Sequence, residues 1–331
     1  MPTHVPRCPA PTAARRLVKR RAFCGFLLVA GGLVLNLSAY SAGGSAAPPV
    51  MYDVALGDSL AVGVGATQPA NDYVDLLYQH ELSRYPNLQL LNLSCAGATT
   101  TDVLGGGGVC PYATGTQLGD AEAFLRAHRG QIAFLTIDVG LDDLVPCLYY
   151  FASSAIDGTC AQSAMNVVSV ELPQILGGLR SASPGLSIYG MDYYDPFLAG
   201  WLLGGSDRTL AQESVPYVDS LNTLLAEIYG VAGGAMADPA AAFETTNGTV
   251  AGSYLGVSVP QNVALICAWT LMCADQDVDI HTNDAGYAVL ADSFEHVIDP
   301  GYWEVASDGG VFSFGSAQFY GSMRARMTSG S

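Results

Sequence analysis

Four apolar runs in the central part of the chain are each bounded by turn-forming residues. They are rich in aliphatic and β-branched side chains, which is typical of strands buried on both faces of a sheet. A weaker signal of the same kind occurs at Ala235–Ala237. The sequence therefore predicts a possible fifth strand there, in addition to strands at residues 51–56, 88–93, 132–139 and 186–191.

Segments with helical periodicity lie between these runs, at residues 73–84, 120–128 and 208–229. The last is the clearest, because its apolar side chains recur on one helical face: Val215, Val218, Leu221, Leu225 and Ile228. Strands that alternate with helices are typical of right-handed β-α-β units and of a parallel sheet covered by helices on both sides. The predicted fold class is therefore α/β.

The two ends of the chain depart from this pattern. A basic stretch at residues 15–21 precedes an apolar run at residues 22–39 and then small residues. This order predicts a secretory signal peptide, residues 1–41, cleaved after Ser41. An uncleaved signal anchor is the alternative, because the run approaches the length of a membrane span.

At the other end, residues 301–322 alternate apolar and polar positions around glycines. This pattern predicts a β-hairpin or two short strands outside the α/β core, which we place at residues 50–298. Residues 323–331 are predicted to be disordered.

The distribution of charge argues against two classes of partner. Six of the 13 basic residues and none of the 30 acidic residues precede residue 42, so the rest of the chain is strongly acidic and contains no lysine. Such a surface repels nucleic acid and anionic lipid headgroups. We expect neither as a partner, and we expect no stable membrane span after signal cleavage.

Six cysteines follow the predicted signal peptide, and their spacing favours three local pairs: Cys95–Cys110, Cys147–Cys160 and Cys267–Cys273. None of them has C-x-x-C spacing and no histidine adjoins them, which argues against a zinc site. Three disulfides require an oxidising compartment and therefore agree with export.

The segment Gly57-Asp58-Ser59-Leu60 joins the first predicted strand to a run of small residues. In a parallel α/β sheet this junction lies at the carboxyl edge of the strands, where ligands bind. Ser59 would then stand at a helix N-terminus, whose N–H groups stabilise developing negative charge. Ser59 is therefore a candidate nucleophile; the alternative is that it only caps a helix.

His281 precedes an apparent helix start, with Asn283 or Asp284 as the cap. A serine hydroxyl needs a base to take its proton, and histidine is the usual base. Asp279 and Asp277 lie close enough in sequence to orient the imidazole. His281 is therefore a candidate base; the alternative is a structural histidine.

Two further segments end predicted strands at the same edge of the sheet. Residues 135–143 turn at Gly140, and residues 94–101 place Gly97 just after the second strand. A glycine there can present its backbone N–H to a ligand. The alternative for both segments is an ordinary strand-to-helix turn.

Together, and in this order, the four segments resemble the SGNH/GDSL hydrolase family over residues 50–298, and in particular its secreted actinobacterial members. The resemblance implies a three-layer α/β/α, flavodoxin-like fold and hydrolysis of carboxylic esters without a metal or cofactor. It implies an acyl-enzyme on Ser59 with His281 as base. The oxyanion hole of the family corresponds to three positions here: Ser59, Gly97 and Asp142.

The third of these positions departs from the family pattern. The family block reads Gly-x-Asn-Asp, but residues 140–143 read Gly-Leu-Asp-Asp, so Asp142 stands where an asparagine normally donates a side-chain N–H. An ionised carboxylate only accepts hydrogen bonds and would repel the oxyanion, whereas a protonated one can donate. We expect weak activity near neutral pH that rises toward acid pH until His281 is protonated.

The orienting aspartate also departs from the family pattern. The family more often has aspartate three residues before the histidine, but this position is Val278. Asp279, two residues before His281, is therefore the predicted orienting residue, with Asp277 as the alternative.

A serine esterase or lipase acting on a small-molecule, lipid or glycan ester is the leading hypothesis. The alternative is a catalytically impaired homologue that binds acyl or glycan ligands, with the tail attaching it to a cell surface.

The tail resembles one unit of a repeat found in exported actinobacterial proteins, and a single unit is a remnant of such an array. The aromatic segment 193–205 follows the fourth strand and is either the lining of an acyl pocket or an ordinary buried loop.

Overall fold

The computed structural model describes residues 48–148, 155–274, 279–307 and 309–314. Several expectations concern residues outside these ranges: the signal peptide, the alternative aspartate Asp277 and the last part of the tail. They stay predictions.

A parallel sheet of five strands forms the centre of the described structure, in the order β2-β1-β3-β4-β5. The last five residues of β1 and of β3 are buried, as expected for strands covered on both faces. The α/β class, the flavodoxin-like strand order and the weakly signalled fifth strand are confirmed. The strands are β1 (Met51–Gly57), β2 (Leu88–Asn92), β3 (Ile132–Asp138), β4 (Ile188–Met191) and β5 (Ala235–Ala237).

Helices cover the sheet in two layers. The helices are α1 (Ser59–Val62), α2 (Tyr73–Glu81), α3 (Thr100–Gly105), α4 (Gln117–Ala127), α5 (Leu141–Leu148), α6 (Gly158–Ala182), α7 (Gly205–Ala232), α8 (Pro239–Ala242), α9 (Gln261–Trp269) and α10 (Asp284–Ile298). Helices α2 and α10 pack against each other in one layer, and α4, α6 and α7 pack side by side in the other. The three-layer α/β/α architecture is therefore confirmed.

The predicted helix boundaries need adjustment at their ends. Helix α4 begins at Gln117 and not at residue 120, because the Thr116 hydroxyl caps it by accepting the Gly119 N–H at 2.9 Å. Helix α7 is longer than predicted at both ends. Helix α6 was not predicted, because β-branched residues and the Gly177-Gly178 pair weaken its helical signal; its buried apolar face stabilises it in the fold.

Two antiparallel strand pairs lie outside the central sheet. Strands β6 (Val250–Tyr254) and β7 (Val257–Pro260) form a hairpin before α9, which the sequence did not predict. Strands β8 (Tyr302–Val305) and β9 (Val311–Phe314) confirm the expected β structure in the tail. Two 3-10 helices, Pro69–Asn71 and Pro196–Leu203, complete the described elements. Among the described helices, none has the length and apolar character needed to cross a membrane.

The three predicted disulfides are present: Cys95–Cys110, Cys147–Cys160 and Cys267–Cys273. Each closes a short stretch of chain, with sequence separations of 15, 13 and 6 residues. They therefore stabilise particular loops rather than joining distant parts of the fold.

Candidate active site

The site lies where β1 and β3 end side by side. Strand β1 connects to β2 on one side, whereas β3 lies on its other side, so the chain leaves the two strands in opposite directions. A crevice opens at such a point in parallel α/β sheets, and ligands bind in it. Ser59 follows β1 directly, and Asp142 follows β3 within the first turn of α5.

The turn after β1 places Ser59 at the start of α1. Asp58 caps this helix, because its carboxylate accepts the Leu60 N–H at 2.9 Å. The alternative interpretation of Ser59 as a mere cap is therefore wrong. Gly57 has a φ of +137°, and a Cβ there would lie 1.7 Å from a carboxylate oxygen of Asp138, so only glycine fits between β1 and β3 at this point.

The His281 loop is held by hydrogen bonds from three directions. The Tyr194 hydroxyl donates to the Ile280 carbonyl at 2.7 Å, and the Leu271 N–H donates to the His281 carbonyl at 2.9 Å. Asn283, one of the two predicted caps, caps α10 by accepting the Gly286 N–H at 3.1 Å. The Cys267–Cys273 disulfide encloses the loop that carries Leu271.

Ser59, His281 and Asp279 form a continuous chain of polar contacts. The Ser59 Oγ and His281 Nε2 are 2.7 Å apart, and His281 Nδ1 contacts the Asp279 carboxylate. The same carboxylate accepts the His281 backbone N–H at 3.2 Å. A carboxylate at Nδ1 favours the tautomer with its proton there, which leaves Nε2 free to accept the serine proton.

Gly97 lies in a tight turn beside the nucleophile segment. The turn is closed by the Ala98 N–H donating to the Cys95 carbonyl at 3.1 Å, and Gly97 has a φ of +77°. Among the described residues, neither the Gly97 N–H nor the Ser59 N–H has a hydrogen-bond partner. Both are therefore available to a ligand.

Asp143, the last residue of the segment Gly140–Asp143, joins the loop that carries Gly97 to α5. The Asp143 carboxylate accepts the Thr100 N–H at 2.9 Å and the Thr100 hydroxyl at 2.8 Å. These bonds join the chain after β2 to the chain after β3, so the two loops hold a common position at the edge of the sheet.

Asp142 lines the same small depression as Ser59 and His281. Burial raises the pKa of Asp142 to about 6, and the neighbouring His281 acts in the opposite direction. Its Oδ2 is buried and has no hydrogen-bond partner among the described residues. An unpartnered carboxyl oxygen in a reaction crevice can bind substrate atoms, as donor or acceptor according to its protonation state.

Two buried acids next to the ends of β1 and β3 were not predicted as site residues. Asp58 accepts the Tyr193 hydroxyl at 3.1 Å, and burial together with repulsion from Asp142 raises its pKa to about 8. Asp138 is fully buried, and burial raises its pKa well above the ordinary value, with further repulsion from Asp58. Their signal in the sequence was an aspartate at the end of each of two neighbouring buried strands.

The aromatic segment after β4 contributes only its first residues to this site. The depression is lined by Asp58, Ser59, Leu60, Leu141, Asp142, Tyr193, Tyr194, Ile280 and His281. Leu198 and Trp201, later in the segment, line a different cavity with Val215 and Val263. Gly97 is not among the described residues that line the depression.

The sequence profile of the GDSL-like lipase/acylhydrolase family matches residues 55–289, which contain all of these site residues. The chain belongs to this family. As a GDSL-family protein, it is a carboxylic ester hydrolase. The search of curated protein sequences finds no match.

The chain is similar to several solved structures of lipases and related hydrolases. A phospholipase A1 from Streptomyces albidoflavus NA297 has a TM-score of 0.50 and 19% identity, and the match covers 74% of this chain and 98% of that one. A lipase from a goat rumen metagenome, Lip_vut3, has a TM-score of 0.49 and 16% identity, with 74% and 96% covered. At 19% identity, the likeness to the phospholipase A1 supports the fold alone.

Proposed function

We propose that this GDSL hydrolase cleaves carboxylic esters through an acyl-enzyme on Ser59, with His281 as the general base and Asp279 as its orienting residue. The observation that carries the proposal is the chain of contacts from Ser59 Oγ through His281 to the Asp279 carboxylate. A serine hydroxyl becomes a competent nucleophile only when a base at this distance takes its proton.

The first half-reaction makes the acyl-enzyme. Ser59 Oγ attacks the ester carbonyl carbon while its proton passes to His281 Nε2. The carbonyl oxygen becomes an oxyanion, which accepts hydrogen bonds from the Ser59 and Gly97 N–H groups. The intermediate collapses when the alcohol leaves with the proton from His281.

The second half-reaction releases the acid. A water molecule gives a proton to His281 Nε2 as its oxygen attacks the acyl carbon. The second tetrahedral intermediate then collapses to the carboxylic acid, and His281 returns this proton to the departing Ser59 Oγ. Electrons and protons balance over the cycle.

Asp142 makes this cycle dependent on pH. As an anion it would repel the oxyanion, and as a neutral acid it would donate to it, so the protonated form supports turnover. Burial raises the pKa of Asp142 to about 6, so its protonated fraction grows as pH falls from 8 to 5.

We also propose that the protein is exported. The three disulfides support this, because such bonds persist in oxidising compartments. The basic and apolar order of residues 15–39 supports a signal peptide over residues 1–41.

Hydrolysis of a short-chain p-nitrophenyl ester by wild type and Ser59→Ala tests the proposal. We expect release of nitrophenolate by wild type and a rate near background for Ser59→Ala. Ser181→Ala is the matched control, because the Ser181 hydroxyl is exposed on α6 and, among the described residues, bonds only to the Gly177 carbonyl. Equal rates for wild type and Ser59→Ala would refute a Ser59 acyl-enzyme.

Asp142 favours one alternative for the physiological role: a catalytically slow member that retains acyl or glycan ligands in the crevice. This alternative predicts measurable binding of a carboxylic acid or a short oligosaccharide together with negligible Ser59-dependent turnover at every pH from 5 to 8. Calorimetric titration of the same protein used for the ester assay separates the two.

A further inference from the structure

Gly57, two residues before the proposed nucleophile, is held from both sides of β1. On the β3 side, the Asp58 N–H donates to the Asp138 carbonyl at 3.1 Å. On the β2 side, the Gly57 N–H donates to Gln117 Oε1 at 2.9 Å, and Gln117 Nε2 donates to the Gly57 carbonyl at 3.0 Å. The side-chain amide of Gln117 therefore satisfies both backbone groups of one residue.

This amide takes one place in the hydrogen-bond ladder just beyond the end of β2. In a parallel sheet, the N–H and C=O of alternate residues face the same neighbouring strand. The Ala55 carbonyl accepts the Leu93 N–H at 2.8 Å, but none of the described carbonyls after β2 accepts the Gly57 N–H. The side chain of Gln117, only 1% exposed, supplies the acceptor for this N–H.

The same amide also connects the nucleophile segment to the Gly97 loop. Gln117 Nε2 donates to the Tyr112 hydroxyl at 3.1 Å, and this hydroxyl donates to the Leu93 carbonyl at 2.7 Å. The Gly57 carbonyl also accepts the Cys95 N–H at 3.0 Å. Gly57 and Cys95 each precede by two residues a group of the proposed oxyanion hole, Ser59 and Gly97.

We propose that Gln117, supported by Tyr112, is a positioning residue that fixes the separation between the Ser59 nucleophile and the Gly97 N–H. The proposal rests on the function proposed above. Gln117 and Tyr112 are not among the described residues that line the crevice depression. Their loss should therefore affect stabilisation of the oxyanion more than binding of the ground-state ester, which places the effect in kcat and not in KM.

The test measures kcat and KM for p-nitrophenyl acetate, with protein concentration defined by titration with a p-nitrophenyl phosphonate that labels the reactive serine. We expect Gln117→Met, which keeps the size of the side chain, to lower kcat per titrated site about tenfold with KM within about twofold. A misplacement of about 1 Å can cost about a hundredfold, and the shift here should be smaller. We expect Tyr112→Phe to lower kcat less, because it leaves both bonds between Gln117 and Gly57.

The matched control is Asn262→Leu. Asn262 is another buried amide that bonds to backbone, with its Nδ2 donating to the Thr245 carbonyl at 2.9 Å and its Oδ1 accepting the Val263 N–H at 2.8 Å. It should lower the thermal midpoint as Gln117→Met does but leave kcat per titrated site unchanged.

Gln117→Glu gives a readout that general destabilisation would not change. The introduced carboxyl can still accept the Gly57 N–H, but it donates to the Gly57 carbonyl only when protonated. The ratio of its kcat to that of wild type should therefore rise as pH falls. This variant and Tyr112→Phe also decide the question if Gln117→Met does not fold.

One set of results would overturn only the role of Gln117, and another would overturn the proposed function on which it rests. If Gln117→Met lowers only the titratable fraction and keeps wild-type kcat per site, or if Gln117→Glu shows a pH-independent ratio, Gln117 is structural only. If wild type and Ser59→Ala turn over equally, the proposed function itself is wrong and the inference ends with it.

Discussion

Asp142→Asn replaces the carboxyl beside the proposed oxyanion position by an amide of nearly the same shape. Asp142 stands in the first turn of α5, lines the depression with Ser59 and His281, and has a buried oxygen without a partner among the described residues. The substitution makes the side chain a hydrogen-bond donor at every pH. Any rate difference should therefore follow the protonation of the wild-type carboxyl.

The size of the effect follows from the pKa of Asp142, which burial raises to about 6. If only the neutral form supports turnover, about one tenth of the wild-type protein is competent at pH 7 and about one hundredth at pH 8. Asp142→Asn should therefore be about tenfold faster at pH 7, about hundredfold faster at pH 8 and little different at pH 5. Loss of one oxyanion donor costs about 10²–10³ in turnover, which sets the upper limit of the gain.

The assay is kcat/KM for p-nitrophenyl butyrate from pH 5 to 8.5 on serine-titrated protein. Asp142→Ala removes the charge without supplying a donor, so it should recover only part of the gain. Asp219→Asn removes an exposed carboxylate from α7 and serves as the control for net charge. Parallel pH profiles for wild type and Asp142→Asn would refute the reasoning, because they would show that the Asp142 charge does not act on the transition state.

Two further predictions concern other carboxyl groups. Asp279→Asn should lower kcat by about 10²–10⁴ with little change in KM, because an amide at His281 Nδ1 no longer fixes the productive tautomer. Steady-state kinetics of Asp279→Asn and Asp277→Asn measure this effect. A larger loss of kcat in Asp277→Asn would make Asp277 the orienting residue. Burial raises the pKa of Asp195 to about 7, although hydrogen bonds from the Ser214 hydroxyl and the Phe197 N–H act to lower it. Its stabilising contribution is therefore present at acid pH and is lost as pH rises through about 7. Asp195→Asn should raise the thermal midpoint at pH 8 more than at pH 5, and equal shifts in circular dichroism melts at the two pH values would contradict this.

The sequence could predict those parts of the fold whose pattern is local. Buried strands with aliphatic runs and amphipathic helices such as α7 can be predicted, because the environment of each side chain follows from its spacing along one element. Helix α6 and the hairpin β6–β7 were not predicted, since their stability comes from the elements they pack against rather than from their own propensity.

The disulfide pairs were also predictable from spacing, because each partner lies within a short stretch of chain. The choice of Asn283 over Asp284 as the cap of α10 was not, because both residues suit that position and only the backbone geometry decides between them.

At the site, the sequence alone determined the chemical candidates. Ser59 after a buried strand and a histidine before a helix were identifiable from residue type and order, and Asp142 from the resemblance to the SGNH/GDSL family. Only the tertiary structure decided their relation to one another: 222 residues separate Ser59 from His281 in sequence, yet their side chains are 2.7 Å apart. The buried acids Asp58 and Asp138 and the amide of Gln117 also emerged only there, because their surroundings depend on distant segments that meet at the ends of β1 and β3.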